Sequence, residues 1–367
     1  MTKTTVEKLN EFGQSIWLDN ISRSMLEGGG LEEMIRVGLR GMTSNPTIFD
    51  KAIRSSNDYN EKIQELAGLG KSIFEIYDDL TVKDVQDAAD IFKAVYDRTG
   101  RLDGYVSLEV SPKLAFKTDE TLKEAERLFK KVNRPNVMFK IPATDAGFIA
   151  IEELLAQGIN VNATLIFSAG QYVKTAHAFL KGIGRLLGTG KDLSKTRSVA
   201  SVFVSRADTA IDNMIEEKNL PISLKGKAAV ANSKVIFQKY LEIFSGDEFR
   251  VFREKGANAQ RVLWASTSTK NPAYSDIKYV TELIGKNTVN TLPENTFQAF
   301  LDHGVIEEAL GADASDKEDV LKQLKDLEID VDIVCERLLH DGLVAFEKSF
   351  DALLSSINKK AGELCSK

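Results

Sequence analysis

A (β/α)8 TIM barrel with additional helices is the fold this sequence predicts, and three observations point to it. Short apolar runs alternate with longer segments whose apolar residues recur at helical spacing, the pattern of βα units around a parallel sheet. Eight such runs can be counted along the chain. Eight units within 367 residues point to a closed barrel rather than an open sheet.

The predicted strands are Ser15–Asp19, Gly41–Ser44, Gly104–Val110, Val137–Pro142, Gly158–Ile166, Val199–Val204, Arg261–Ser266 and Asn287–Asn290. Helical patterns fill the gaps, among them Leu122–Val132, Ala169–Leu187, Asp208–Glu217 and Thr296–Asp302. Two stretches exceed what a crossover needs: a helix-rich insertion near 51–100 and a charged C-terminal extension near 312–362. The extension opens with Ser315-x-x-Glu318, a capping box. Its apolar residues Val320, Leu324, Leu327 and Val331 recur at helical spacing, which predicts a helix packed on the outside of the barrel. Residues 1–367 thus read as a single barrel domain with two additions.

Composition narrows the function. With 43% hydrophobic and 28% charged residues, 25 glycines and 7 prolines, the chain is neither collagen-like, coiled-coil nor largely disordered. A net charge of −6 argues against nucleic acid as a partner. Cys335 and Cys365 form neither a disulfide framework nor a CxxC knuckle, which suits a reducing compartment. The opening MTKTTVEKLNEFGQS lacks the apolar core of a signal peptide, and no run approaches the roughly 20 apolar residues of a membrane span. The expectation is a cytoplasmic protein with no membrane partner, monomeric or homodimeric; the sequons at Asn20 and Asn162 then carry no weight.

In a barrel strand one face meets the helices and the other fills the interior. In INVNATL the branched apolar residues share one face, leaving Asn160, Asn162 and Thr164 on the other. Barrel interiors are ordinarily packed with Val, Ile and Leu, so this polar row needs a reason. The same test on VMFKIP turns Phe139 and Ile141 outward and Lys140 inward. A buried ammonium is costly, and burial favours the neutral amine that attacks carbonyls. On spacing alone, a structural ion pair would account for Lys140 equally well.

Two carboxylates favour the chemical reading. Asp19 in SIWLD and Glu109 in GYVSLEV both face inward near the carboxyl ends of their strands, as Lys140 does. That end carries the active site in barrels of this kind. An amine nucleophile, an acid to expel water and a base to take a hydroxyl proton are the parts of a Schiff-base site. Arg206 and Lys270, following strands six and seven, stand where such barrels hold phosphate; solvated surface cations are the alternative. Other motifs fail. The glycines at 182–190 lack the P-loop pattern, the three histidines lack zinc spacing, and Asp313–Asp319 lacks the glycine and terminal glutamate of a calcium loop.

At this point the sequence resembles the transaldolase family along nearly its whole length. The matching segments are SIWLDNISR, GMTSNPTIF, SLEVSPKLAFKT, VMFKIPAT, GINVNATLIFS and SVFVSR, with WASTSTK typical of the longer bacterial form. The resemblance implies a cofactor-free pentose-phosphate-pathway transferase. Such an enzyme moves a dihydroxyacetone unit from sedoheptulose 7-phosphate to glyceraldehyde 3-phosphate, yielding erythrose 4-phosphate and fructose 6-phosphate. It also implies Lys140 as the Schiff-base lysine, Asp19 as the acid/base of cleavage, and Glu109 with Thr164 as holders of the water. Asn45, Asn162 and Ser201 would bind the dihydroxyacetone portion, and Arg206 and Lys270 the phosphate. The family often has arginine where Lys270 stands, and lysine keeps the charge without the bidentate fork. Spacing alone does not rank Asp19 against Glu109. Fructose 6-phosphate aldolases resemble the chain less: they are shorter, carry tyrosine at the position of Phe203 and lack the glutamate of Glu109.

Overall fold

The computed structural model describes residues 2–311 and 315–365, the side chains of 315–318 excepted. Eight strands close a barrel in sequence order: β1 (Gln14–Asp19), β2 (Gly41–Thr43), β3 (Val106–Glu109), β4 (Val137–Pro142), β5 (Val161–Ile166), β6 (Ser198–Phe203), β7 (Arg261–Ala265) and β8 (Thr288–Leu292). Every pairing is parallel, and β1 meets β8 to complete the ring. The predicted barrel and all eight strands are therefore present.

Strand ends differ where the backbone leaves the extended region. Gly104 (φ +84°) lies outside β3, and Gly158 (φ +85°) caps the helix Asp145–Gln157 rather than opening β5. Asn287 (φ +59°) precedes β8, which runs on to Leu292. In β5 the register shifts between Ala163 and Ile166, with Leu165 at φ +59°. The simple alternation read from INVNATL thus ends at Thr164: Leu165 packs instead with Phe167, Phe203 and the C-terminal helix.

The barrel interior is layered. At the amino-terminal end Arg261 pairs with Asp103 at 2.8 Å and donates to the Ser15 hydroxyl at 2.9 Å. Next comes an apolar layer of Trp17, Met138, Val199, Leu263 and Val289. Gly41 makes room for it, because a Cβ there would stand 2.6 Å from the Trp17 indole. At the carboxyl end the interior turns polar. Register sets Glu109 beside Lys140, and Lys140 beside Asn162, across β3, β4 and β5.

The insertion is helical, as expected, with helices Pro46–Ser55, Asn60–Gly68 and Ile73–Arg98. The C-terminal extension departs from the expected single outer helix. It forms two, Ser315–Asp326 and Val331–Cys365, broken where Glu328 takes φ +60° and the Ile329 N–H returns to the Leu324 carbonyl. Val331 therefore opens the second helix, and the capping box at Ser315 and Glu318 falls on side chains outside the described residues. The second helix packs along Pro46–Ser55 and Asn60–Gly68, then reaches the end of β5 and the helix Ser205–Glu217. It consequently crosses the mouth of the barrel instead of lying only on its flank. No described helix is long and apolar enough to span a membrane.

Candidate active site

A cavity of about 300 Å³ opens at the carboxyl ends of the strands. Asp19, Asn45, Lys140, Ser201, Arg206 and Lys270 line it, so six candidates from the sequence converge there. Glu109, Asn162 and Thr164 do not line it; they are buried in the strand layer around Lys140. A larger cavity of about 530 Å³ lies on the flank, between Met25, Glu33 and Phe297, and is lined by no lysine among the described residues.

Lys140 is 5% exposed, and its Nζ donates to the Ser44 carbonyl at 3.0 Å. No carboxylate forms an ion pair with it among the described residues. Both acids nevertheless feel its charge. Burial pushes the Asp19 carboxyl above its usual range, opposed by Lys140 and by the Thr43 hydroxyl, which donates to Oδ1 at 2.7 Å. Thr43 shares a 2.7 Å contact with the Thr291 hydroxyl, so Asp19 is held from two strands.

Glu109 is pushed up to about 7, first by burial, with Lys140 opposing and Asp19 adding to the shift. Neither of its oxygens, nor the Thr164 hydroxyl, has a hydrogen-bond partner among the described residues. Buried polar groups normally find one. Asn162 is ordered on both sides: its amide donates to the Ser107 hydroxyl at 3.0 Å and its carbonyl accepts from Ser201 at 2.6 Å. Asn45 caps the helix Pro46–Ser55, accepting the Ile48 N–H at 3.0 Å and thereby fixing its orientation at the rim.

Across the cavity, Arg206 lies in the first turn of the helix Ser205–Glu217, over the Phe203 ring at 5.4 Å. No acid neutralises it among the described residues, and burial lowers its pKa. Lys270 is exposed and donates to Ser268 at 2.9 Å. The cavity is thus lined by two cations that have no carboxylate ion-pair partner among the described residues. Thr43, Ser268 and Thr291 were not singled out from the sequence, although Thr43 shows as an inward polar residue of GMTS. Phe346 was also missed. It reaches the cavity from the C-terminal helix and packs on Phe203, ring centroids 6.4 Å apart.

A buried amine with two carboxyls of raised pKa nearby, at this end of a (β/α)8 barrel, is the set of groups that an enzyme acting on carbonyl compounds through a lysine requires. The chain belongs to the transaldolase/fructose-6-phosphate aldolase family, which matches it over residues 16–357. It is 44% identical to a transaldolase of Trichodesmium erythraeum, covering 97% of both chains. It is also 44% identical to one of Saccharopolyspora erythraea, covering 98% of both. A Neisseria gonorrhoeae transaldolase is 42% identical, over 96% of this chain and 99% of its own.

Proposed function

We propose that this chain is a transaldolase, a transferase that carries a dihydroxyacetone unit from sedoheptulose 7-phosphate to glyceraldehyde 3-phosphate and yields erythrose 4-phosphate and fructose 6-phosphate. The observation that carries the reading is Lys140: a buried amine lining the cavity, hydrogen-bonded among the described residues only to a carbonyl, with two carboxyls of raised pKa near it. The Lys140 amine attacks the ketose carbonyl, and loss of water leaves an imine. Asp19 takes the hydroxyl proton next to the breaking carbon–carbon bond, and the bonding electrons pass into the imine. The aldehyde product leaves. The three-carbon fragment stays covalently bound until a second aldehyde accepts it and Asp19 returns the proton.

Glu109 and Thr164 hold the water that relays protons as the imine forms and water is expelled, and that hydrolyses it at the end; their unpartnered oxygens support this. Asn45, Asn162 and Ser201 bind the hydroxyls of the fragment, and Arg206 and Lys270 bind the phosphate. No cofactor enters the scheme. The scarcity of cysteine supports a reducing, cytoplasmic setting.

The test is intact-mass spectrometry after incubation with fructose 6-phosphate and borohydride. A dihydroxyacetone-sized gain, lost when erythrose 4-phosphate is added before reduction, is the expected result. Absence of any adduct would remove the Schiff-base reading.

Glu109→Gln separates the water-holding role from cleavage. Imine formation in the parent should titrate with an apparent pKa near 7, the value burial gives Glu109, and the variant should lose that step in the profile. Stability supplies a second check. The folded value lies above the usual 4.5, so the folded state holds the extra proton between the two values, and stability declines as pH rises from about 4.5 through about 7. Glu109→Gln should therefore stabilise the fold at pH ~8, by a few kcal/mol at most and read as a higher melting temperature, and barely change it at pH ~4. An equal gain at both pH values would contradict the assignment.

A further inference from the structure

The segment after β7 brings Ser266, Ser268 and Lys270 to the cavity, but it is anchored elsewhere. The Tyr274 hydroxyl donates to Asp212 Oδ2 at 2.7 Å, and Asp212 Oδ1 accepts the Gly226 N–H at 2.8 Å. One helical turn earlier, Asp208 repeats the arrangement. It accepts the Tyr279 hydroxyl at 2.8 Å and the Ala229 N–H at 2.7 Å. Both aspartates are buried, and neither forms an ion pair among the described residues. Such carboxylates are costly unless their hydrogen bonds are met, and burial pushes Asp208 up to about 6.

Gly226 completes the seat. Its φ is +69°, and a Cβ there would stand 2.7 Å from the Tyr274 ring, so the ring rests directly against the glycine. The aspartates project from the helix Ser205–Glu217, whose first turn carries Arg206. One helix therefore presents Arg206 to the cavity and clamps the segment bearing Lys270. Lys270 has a single side-chain partner among the described residues, Ser268, so its position follows its backbone. That backbone is closed into a short loop: Thr269 donates to the Ser275 carbonyl at 2.7 Å, and the Tyr274 N–H donates to the Asn271 carbonyl at 3.1 Å.

We propose that Tyr274, clamped by Asp212 over Gly226, is a positioning residue that sets the spacing of Lys270 from Arg206 and thereby the affinity for the substrate's phosphate. This rests on the reading of Arg206 and Lys270 as the phosphate site. Tyr274 touches no substrate; it acts through Lys270. Phosphate binding that is equal in ground and transition states changes KM and leaves kcat alone.

The experiment measures KM for fructose 6-phosphate and competitive inhibition by inorganic phosphate in the parent, Tyr274→Phe, Lys270→Ala and the double variant. Tyr274→Phe removes only the hydroxyl. It should raise both constants about three- to tenfold, the scale of one ordinary net hydrogen bond, with kcat changed less than about twofold. In the Lys270→Ala background it should add nothing. Asp212→Asn should show the same shift and serves if Tyr274→Phe does not fold. An undiminished effect in the double variant, or a lowered melting temperature with both constants unchanged, overturns the positioning role. If Lys270→Ala itself leaves both constants unchanged, the phosphate-site reading falls and the positioning role with it.

Discussion

Replacing Lys140 by methionine or alanine is expected to reduce turnover by at least about 10⁴-fold, the scale on which the loss of a covalent nucleophile falls. No second amine can take its place. Lys270, the other lysine of the cavity, lies at the exposed rim and is held by Ser268. The two substitutions differ in stability. Lys140→Ala removes the buried stem and leaves a void among β3, β4 and β5, a change that costs about 2–5 kcal/mol in comparable cores. Lys140→Met keeps most of that volume, although it leaves the Ser44 carbonyl without the amine it accepts from.

Both substitutions also remove the charge that opposes burial at Asp19 and Glu109, so both carboxyls should take up protons at higher pH than in the parent. Inactive variants with a cooperative thermal transition and an upward-shifted Glu109 titration would separate loss of the nucleophile from loss of the fold. Activity within about tenfold of the parent would end the assignment of Lys140 as nucleophile.

How much of this site the sequence discloses depends on the element each residue occupies. Asp19, Glu109 and Lys140 stand out because each is a charge inside a short apolar run, and strand alternation dictates which way it points. Asn162 and Thr164 show by the same rule, up to the point where the shift at Leu165 ends it. Phe346 gives no such signal. It is one apolar residue in a 35-residue helix that packs against several elements, and only the tertiary path across the barrel mouth makes it a wall of the cavity. Tyr274 is equally silent, since its meaning depends on Asp212 and Gly226, 62 and 48 positions away. The extension looked like an outer helix because periodicity reports that a face is buried and not what buries it.

Asp19→Asn should form the imine and stop there, with turnover lowered about 10²- to 10⁴-fold, the range for a positioned general base. The amide is nearly isosteric and can still accept from Thr43, so the ring of contacts from Asp19 through Thr43 to Thr291 should survive. What is lost is the basicity that burial confers on the carboxylate. Borohydride trapping reads the consequence directly. With fructose 6-phosphate, the parent should accumulate the dihydroxyacetone-sized adduct, because cleavage outruns reduction. The variant should accumulate an adduct carrying the whole six-carbon sugar phosphate, because the bond beside the imine no longer breaks. Removing the Asp19 charge also removes one cause of the high Glu109 value, so the pH dependence of imine formation should move downward in the same variant. The two acids are thereby distinguished, as strand spacing alone does not distinguish them. A dihydroxyacetone adduct formed by Asp19→Asn at the parent's rate would transfer the cleavage role to another group, and Glu109, beside Lys140 on the neighbouring strand, would be the residue to test next.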